Sequence, residues 1–324
     1  MKTTFAAGFS SLCLAFSLNA QTVPLTPGDP ILLPGSTGRY DFIQFDASAN
    51  RLLLGHEENR SFDVFDLGSR QLKVIPTGTS QDAAVDVKNG LYYVSGNDPG
   101  RMVIVNAKTL TVAGEVQLPA ATDLIGYDPQ TGLVHICNDT AAEQWVIDPV
   151  AKKIVKTIRF KGRGLEDMAL DVKNRRLYQA VKGANTIAEV DLDNNKVLTA
   201  WPLAPDKGPH GIALVPDSNN LLVACASNLV MLSCSSGKIL ATAPIGARVD
   251  EMTYDPGLRK AYCASRIGKI SVVSVGADTL TPAGEVPDVA RTGDISVDPT
   301  THTVWIAYPK NGQCFAQPFT PIQI

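Results

Sequence analysis

Residues 207–223, KGPHGIALVPDSNNLLV, decide the fold. A Gly/Pro loop opens the stretch, and Ile212 to Val215 alternate as a short strand. The polar run Asp217-Ser218-Asn219-Asn220 then makes a tight turn, and Leu221-Leu222-Val223 starts a second strand. Gly and Pro break regular structure, Asp and Asn close turns through their side chains, and period-two apolar alternation marks a half-buried strand.

The same phrase recurs through the chain. Its polar turns begin at Asp46, Asp86, Asp128, Asp171, Val215, Asp255 and Asp298, so the steps are 40, 42, 43, 44, 40 and 43 residues. A fixed period of this length means a solenoid or a propeller. Each unit is built of short runs rich in Val, Ile, Leu and Tyr, with no sustained helical periodicity. In residues 122–158 the runs are DLIGYD, LVHICN, EQWVIDP and KIVKTI. Four strands of about five residues with their turns make one propeller blade. The expectation is an all-β, seven-bladed β-propeller of four-stranded blades, forming a single domain over residues 30–324.

The last repeat lacks a clear outer strand. Ile31-Leu32-Leu33-Pro34-Gly35 resembles the outer-strand ends Val74-Ile75-Pro76 and Ala243-Pro244-Ile245-Gly246. Residues 30–35 are therefore expected to lie beside residues 312–318 and close the last blade with an N-terminal strand. Such closure removes the exposed strand edges that invite aggregation.

Residues 1–20, MKTTFAAGFSSLCLAFSLNA, carry an early Lys, an apolar run and a small residue at a cleavage point after Ala20. This pattern predicts a secretory signal peptide and a periplasmic or secreted protein, with residues 21–29 as a flexible lead-in. No second long apolar run suggests a membrane span. With 29 Lys and Arg against 32 Asp and Glu, and no basic stripe, the chain does not look like a nucleic-acid binder. Beyond Cys13 the cysteines are Cys137, Cys225, Cys234, Cys263 and Cys314. Their spacing fits no CxxC pair or zinc motif, and most sit in apolar strands as small buried hydrophobes. Trp145, Trp201 and Trp305 read as blade packing, and His135 and His302 as structural.

Three stretches carry a family resemblance: LYYVSGNDPGRMVIVN at 91–106, LVHICNDTAAEQWVID at 133–148 and LYQAVKGANTIAEVD at 177–191. Each is a strand, a polar turn and a strand ending in Asn or Asp. With the inner-strand sequence GPHGIALVPD, they resemble the YVTN-repeat propellers, a family of mostly exported bacterial proteins. The resemblance implies a seven-bladed ring. Related seven-bladed chains include lactonases and cofactor-associated quinoprotein subunits, so the fold does not fix an activity.

Inner strands of a propeller start at the axial channel. Counting five residues back from the anchors gives Asp41, Gln81, Asp123, Glu166, His210, Asp250 and Gly293. The next column adds Phe42, Asp82, Leu124, Asp167, Gly211, Glu251 and Asp294. Both columns are expected to form a polar funnel on one face, with Arg39, Arg163, Lys207, Arg248 and Arg291 just before it. The loops between second and third strands should add His56, Glu57, Glu58 and Arg60, together with Asn97, Asp98, Asn138, Asp139, Asn185 and Arg266. Crowded carboxylates raise one another's pKa unless a cation or an arginine offsets them, which leaves room for a divalent cation. His210, Glu166, Asp250 and Glu251 are the candidates for acid–base chemistry.

Three readings follow. The first is an exported scaffold that binds a small molecule or a protein partner on its loop-rich face. The second is a metal-assisted hydrolase of the lactonase type. The third is an accessory subunit in periplasmic electron transfer, although no CxxCH haem motif is present. No GxSxG elbow, P-loop or dinucleotide fingerprint occurs either. The first reading is preferred and the hydrolase comes second.

Overall fold

The computed structural model describes residues 23–322 apart from Pro99, Asp139 and 288–292. The signal-peptide reading of residues 1–20, and the candidates Arg291 and Asp139, lie outside the described residues. Seven antiparallel sheets follow one another along the chain. Their inner strands are Ile43–Asp46, Ser80–Asp86, Thr122–Asp128, Leu165–Asp171, Ile212–Val215, Val249–Asp255 and Ser296–Val297, which define blades 1 to 7. Each inner strand packs against the inner strands on either side, and the seventh returns to the first. A single 3-10 turn, Lys182–Ala184, is the only helical element among the described residues. None of those residues forms a helix long and apolar enough to cross a membrane.

The anchor aspartates owe their regularity to turn chemistry. Asp46, Asp86, Asp128, Asp171 and Asp255 each end an inner strand and Asp298 directly follows one; all six accept a backbone N–H two or three residues on, at 2.8–3.0 Å. That bond closes the turn to the second strand. Several second oxygens reach a neighbouring blade. Tyr92 Oη donates to Asp46 at 2.7 Å, Arg175 to Asp128 at 2.8 Å, and His302 Nδ1 lies 2.8 Å from Asp255. One residue type therefore both folds a blade and ties it to the next.

The core is distributed around the ring. Seven hydrophobic clusters, each drawn from two adjacent blades, occupy the interfaces. A blade buries both faces of its sheet only when both neighbours are present. Cys137, Cys225, Cys234, Cys263 and Cys314 are buried free thiols within this packing. Trp145, Trp201 and Trp305 are buried there as well, as is His135, whose Nδ1 lies 3.1 Å from Gln144 Oε1.

Closure follows the expected register and extends it. Ile31–Leu33 pairs with Cys314–Ala316 on the outer edge of blade 7. Within the expected lead-in, residues 21–29, the reading is corrected at Leu25–Pro27, which forms a second closing strand opposite Phe319–Pro321. The physical reason is apolar burial: Leu25 is fully enclosed in the cluster between blades 6 and 7.

Candidate functional site

The funnel is built by a repeated irregularity. In blades 2, 3, 4 and 6 the pairing of inner to second strand skips two residues against one. The skipped pairs are Gln81/Asp82, Asp123/Leu124, Glu166/Asp167 and Asp250/Glu251. Blades 1 and 5 repeat the arrangement through hydrogen bonds. Asp41 N donates to Gly55 O and Gly55 N to Phe42 O, both at 2.9 Å; His210 N donates to Ala224 O at 2.9 Å and Ala224 N to Gly211 O at 2.8 Å. A bulge of this kind bends the strand and re-aims its side chains. The first residue of each pair faces the channel mouth, and the second carboxylates turn down between the blades.

One cavity of about 280 Å³ collects the first column. Asp41, Gln81, Asp123, Glu166, His210 and Asp250, from six blades, line it together with Phe42, Leu124, Glu251, Lys182 and Arg266. The seventh position, Gly293, abuts this wall: a Cβ there would lie 2.8 Å from that of Asp250. The Phe42 ring reaches from blade 1 to the cluster of blades 3 and 4. It also lines a second axial cavity of about 350 Å³, walled by Met168, Ile212, Leu214, Met252 and Tyr254, so it stands between the two.

The second column serves another purpose. Asp82, Glu251 and Asp294 are at most 2% exposed, so the reading of all these carboxylates as open funnel walls is corrected. Asp82 Oδ2 accepts Ile125 N at 3.2 Å, Asp167 Oδ2 accepts Ile212 N at 3.0 Å, and Glu251 Oε2 accepts Ile295 N at 2.7 Å. Each bond joins one inner strand to the next. Burial pushes Asp82 up to about 8 and Asp167 up to about 7, and lifts Glu251 and Asp294 well above the carboxylate range. Only Glu251 also lines the funnel, as part of its floor.

Basic residues from the second loop set neutralise the mouth. Lys182 Nζ lies 3.0 Å from Glu166 Oε1 and 2.7 Å from His210 Nε2, and His210 Nδ1 lies 3.2 Å from Glu166 Oε2. An ammonium facing Nε2 makes that nitrogen the acceptor and leaves the ring proton on Nδ1, toward Glu166. Burial holds His210 below its ordinary value, with Glu166 pulling up and Lys182 pushing down. Arg266 Nε donates to Asp250 Oδ2 at 2.6 Å. Arg39 Nη1 lies 3.3 Å from Asp41, and its other terminal nitrogen holds Glu57. Burial, Glu57 and Asp250 push Asp41 up to about 6 against the pull of Arg39. Among the described residues, no three His, Cys, Asp or Glu side chains converge as a metal-ion cage.

Several expected site residues stand elsewhere. Arg163 and Lys207 are exposed and line neither the funnel nor its side branch; Arg248 lines only that branch. His56 is fully buried, with Nδ1 2.9 Å from Asp63 Oδ2. It is the last residue of the strand Arg51–His56, so the loop begins at Glu57 and the imidazole packs into the interface of blades 7 and 1. Sequence reasoning missed Lys182 and passed over the pairing of Arg266. Both occupy the first position after a second strand, as Glu57 does, and that shared register was the usable signal.

No family model matches the chain, and no curated protein matches it. Solved structures do. The chain is similar to Kuenenia stuttgartiensis hydrazine synthase at 12% identity, over 87% of this chain and 97% of that one, with a TM-score of 0.76. It is similar to a chain of a mitotic checkpoint complex at 13% identity, over 100% of both, with a TM-score of 0.77. It is also similar to U3-55K at 10% identity, over 91% and 98%, with a TM-score of 0.75. At such identities the likeness establishes the fold alone, a seven-bladed β-propeller, here with a charge-paired axial funnel.

Proposed function

We propose that this protein is an exported binding propeller whose funnel captures a small polar molecule carrying charges of both signs. One observation carries the reading: six blades converge on one cavity in which carboxylates alternate with Lys182, Arg266 and a neutral imidazole. Pockets of about 300 Å³ with a few converging polar groups are typical small-molecule sites. The YVTN resemblance and the apolar N-terminus support export. Sequencing a mature chain that begins at Gln21 would agree with it, and a chain retaining Met1 in the cytosol would not.

The test is a thermal-shift screen of amino acids, sugars, sugar lactones and divalent metals. A ligand at a hundred times its Kd stabilises the folded state by about 2.7 kcal/mol. A saturable rise in Tm that disappears in Arg266→Met is expected. No rise with any member of the panel would remove the reading. The hydrolase reading rests on the Glu166–His210 pair, which activates water only once Lys182 has moved off His210 Nε2. Metal-dependent turnover of a lactone, lost in His210→Ala, would put it first.

A further inference from the structure

The funnel is open on one side. A second cavity of about 490 Å³ shares Lys182, His210, Asp250 and Arg266 with it and continues over Gly208, Ala226, Ala247 and Val249. Its wall is low because the loops there are short. Residues 225–227 and 266–268 join the second and third strands of blades 5 and 6, whereas four residues do so in blades 1 to 4. Ala226 and Ala247 are exposed and small, and Gly208 has a positive φ of 62°. This branch is a groove with an apolar floor.

The two ends of the funnel differ in hydrogen-bonding character. Lys182 and Arg266, its positive side chains, both belong to the wall shared with the groove. Away from that wall the funnel offers Asp41, Gln81 and Asp123 around the floor formed by Glu251. Two buried oxygens there have no hydrogen-bond partner, Gln81 Oε1 and Glu251 Oε1, and a cationic ammonium beside Glu251 favours its ionised, accepting form over the protonated one that burial alone favours. A buried unsatisfied polar atom is costly, so a ligand that supplies N–H donors gains by filling this spot. A quaternary ammonium or a plain anion cannot do so.

We infer that the site is shaped for a free α-amino acid with a large apolar side chain. Its ammonium group donates to Gln81, Glu251 and Asp41, its carboxylate meets Lys182 and Arg266, and its side chain lies along the groove over Ala226 and Ala247. The inference rests on the binding reading proposed above and specifies its ligand.

Isothermal titration of the full mature chain tests it with five probes: L-phenylalanine, glycine, phenethylamine, 3-phenylpropanoate and glycine betaine. Phenylalanine is expected to bind at least tenfold more tightly than each of the others. Ala226→Trp, a substitution at an exposed loop position, is expected to bring phenylalanine to the affinity of glycine on the same variant. Equal affinity for phenylalanine and for either singly charged analogue overturns the inference, as does unchanged phenylalanine binding in Ala226→Trp. If sugars or lactones bind in a manner sensitive to Arg266→Met while amino acids do not, the ligand class is wrong and the binding reading stands. If no probe and no panel member binds, both fall.

Discussion

Replacing His56 by alanine is expected to cost about 3–5 kcal/mol of stability and to leave the funnel intact. The imidazole and Asp63 are both fully enclosed. Asp63 also accepts Ser36 Oγ at 2.5 Å and Ser61 Oγ at 2.7 Å, so the network joins the closing segment to blade 1. Removing one partner of a buried ion pair leaves an uncompensated charge, and that charge sets the magnitude. The pH dependence follows from the sign of the shift. Burial opposes a charge on His56, but the hydrogen bond to Asp63, with Cys314 close by, outweighs it and pushes the imidazole from 6.5 up to about 9. A raised pKa in the folded state gives stability that is complete below about pH 6.5 and is lost as the pH rises through about 9. Urea titrations across this window should show the wild type losing stability more steeply than His56→Gln. Parallel curves for the two proteins would mean that His56 is neutral when folded.

Gly55→Ala is expected to destabilise the ring by about 3 kcal/mol, at the upper end of the usual cost of overpacking. A Cβ at this position would overlap the carbonyl oxygen of Gln81, part of the bulge of the next blade. Backbone cannot yield as a flexible side chain can. The second strand of blade 1 and the inner strand of blade 2 must separate, and Gln81 is displaced from the funnel wall. The variant should therefore lose both Tm and ligand affinity, whereas His56→Ala loses Tm alone. A Gly55→Ala protein as stable as the wild type would show that blades 1 and 2 do not approach so closely.

The ring itself was legible because its signals are local. An aspartate closing a turn every forty residues, alternating strands between, and an orphan apolar segment at Ile31–Leu33 are each read within a few residues. The site was half legible. Counting back from the turns found Asp41, Gln81, Asp123, Glu166, His210 and Asp250, but could not say that the adjacent Asp82, Asp167 and Glu251 turn away. That depends on a bulge, which sets two residues against one and leaves no mark in composition. His56 was misplaced by one residue of strand length, enough to move an imidazole from the rim to a sealed interface. Lys182 escaped notice because its partners, Glu166 and His210, lie on blades 4 and 5 and meet only once the ring exists.

The same ring makes His210 a reporter on its neighbours. The chain has four histidines, and NMR can follow the His210 imidazole through a pH titration. In the wild type its pKa should lie below 6.5. Lys182→Met removes a repelling charge and should raise it; Glu166→Gln and Asp250→Asn remove attracting charges and should lower it further. Asp250 is forty residues from His210 along the chain and reaches it only across the mouth, at 3.8 Å. A His210 titration that ignores all three substitutions would mean that these residues share no funnel.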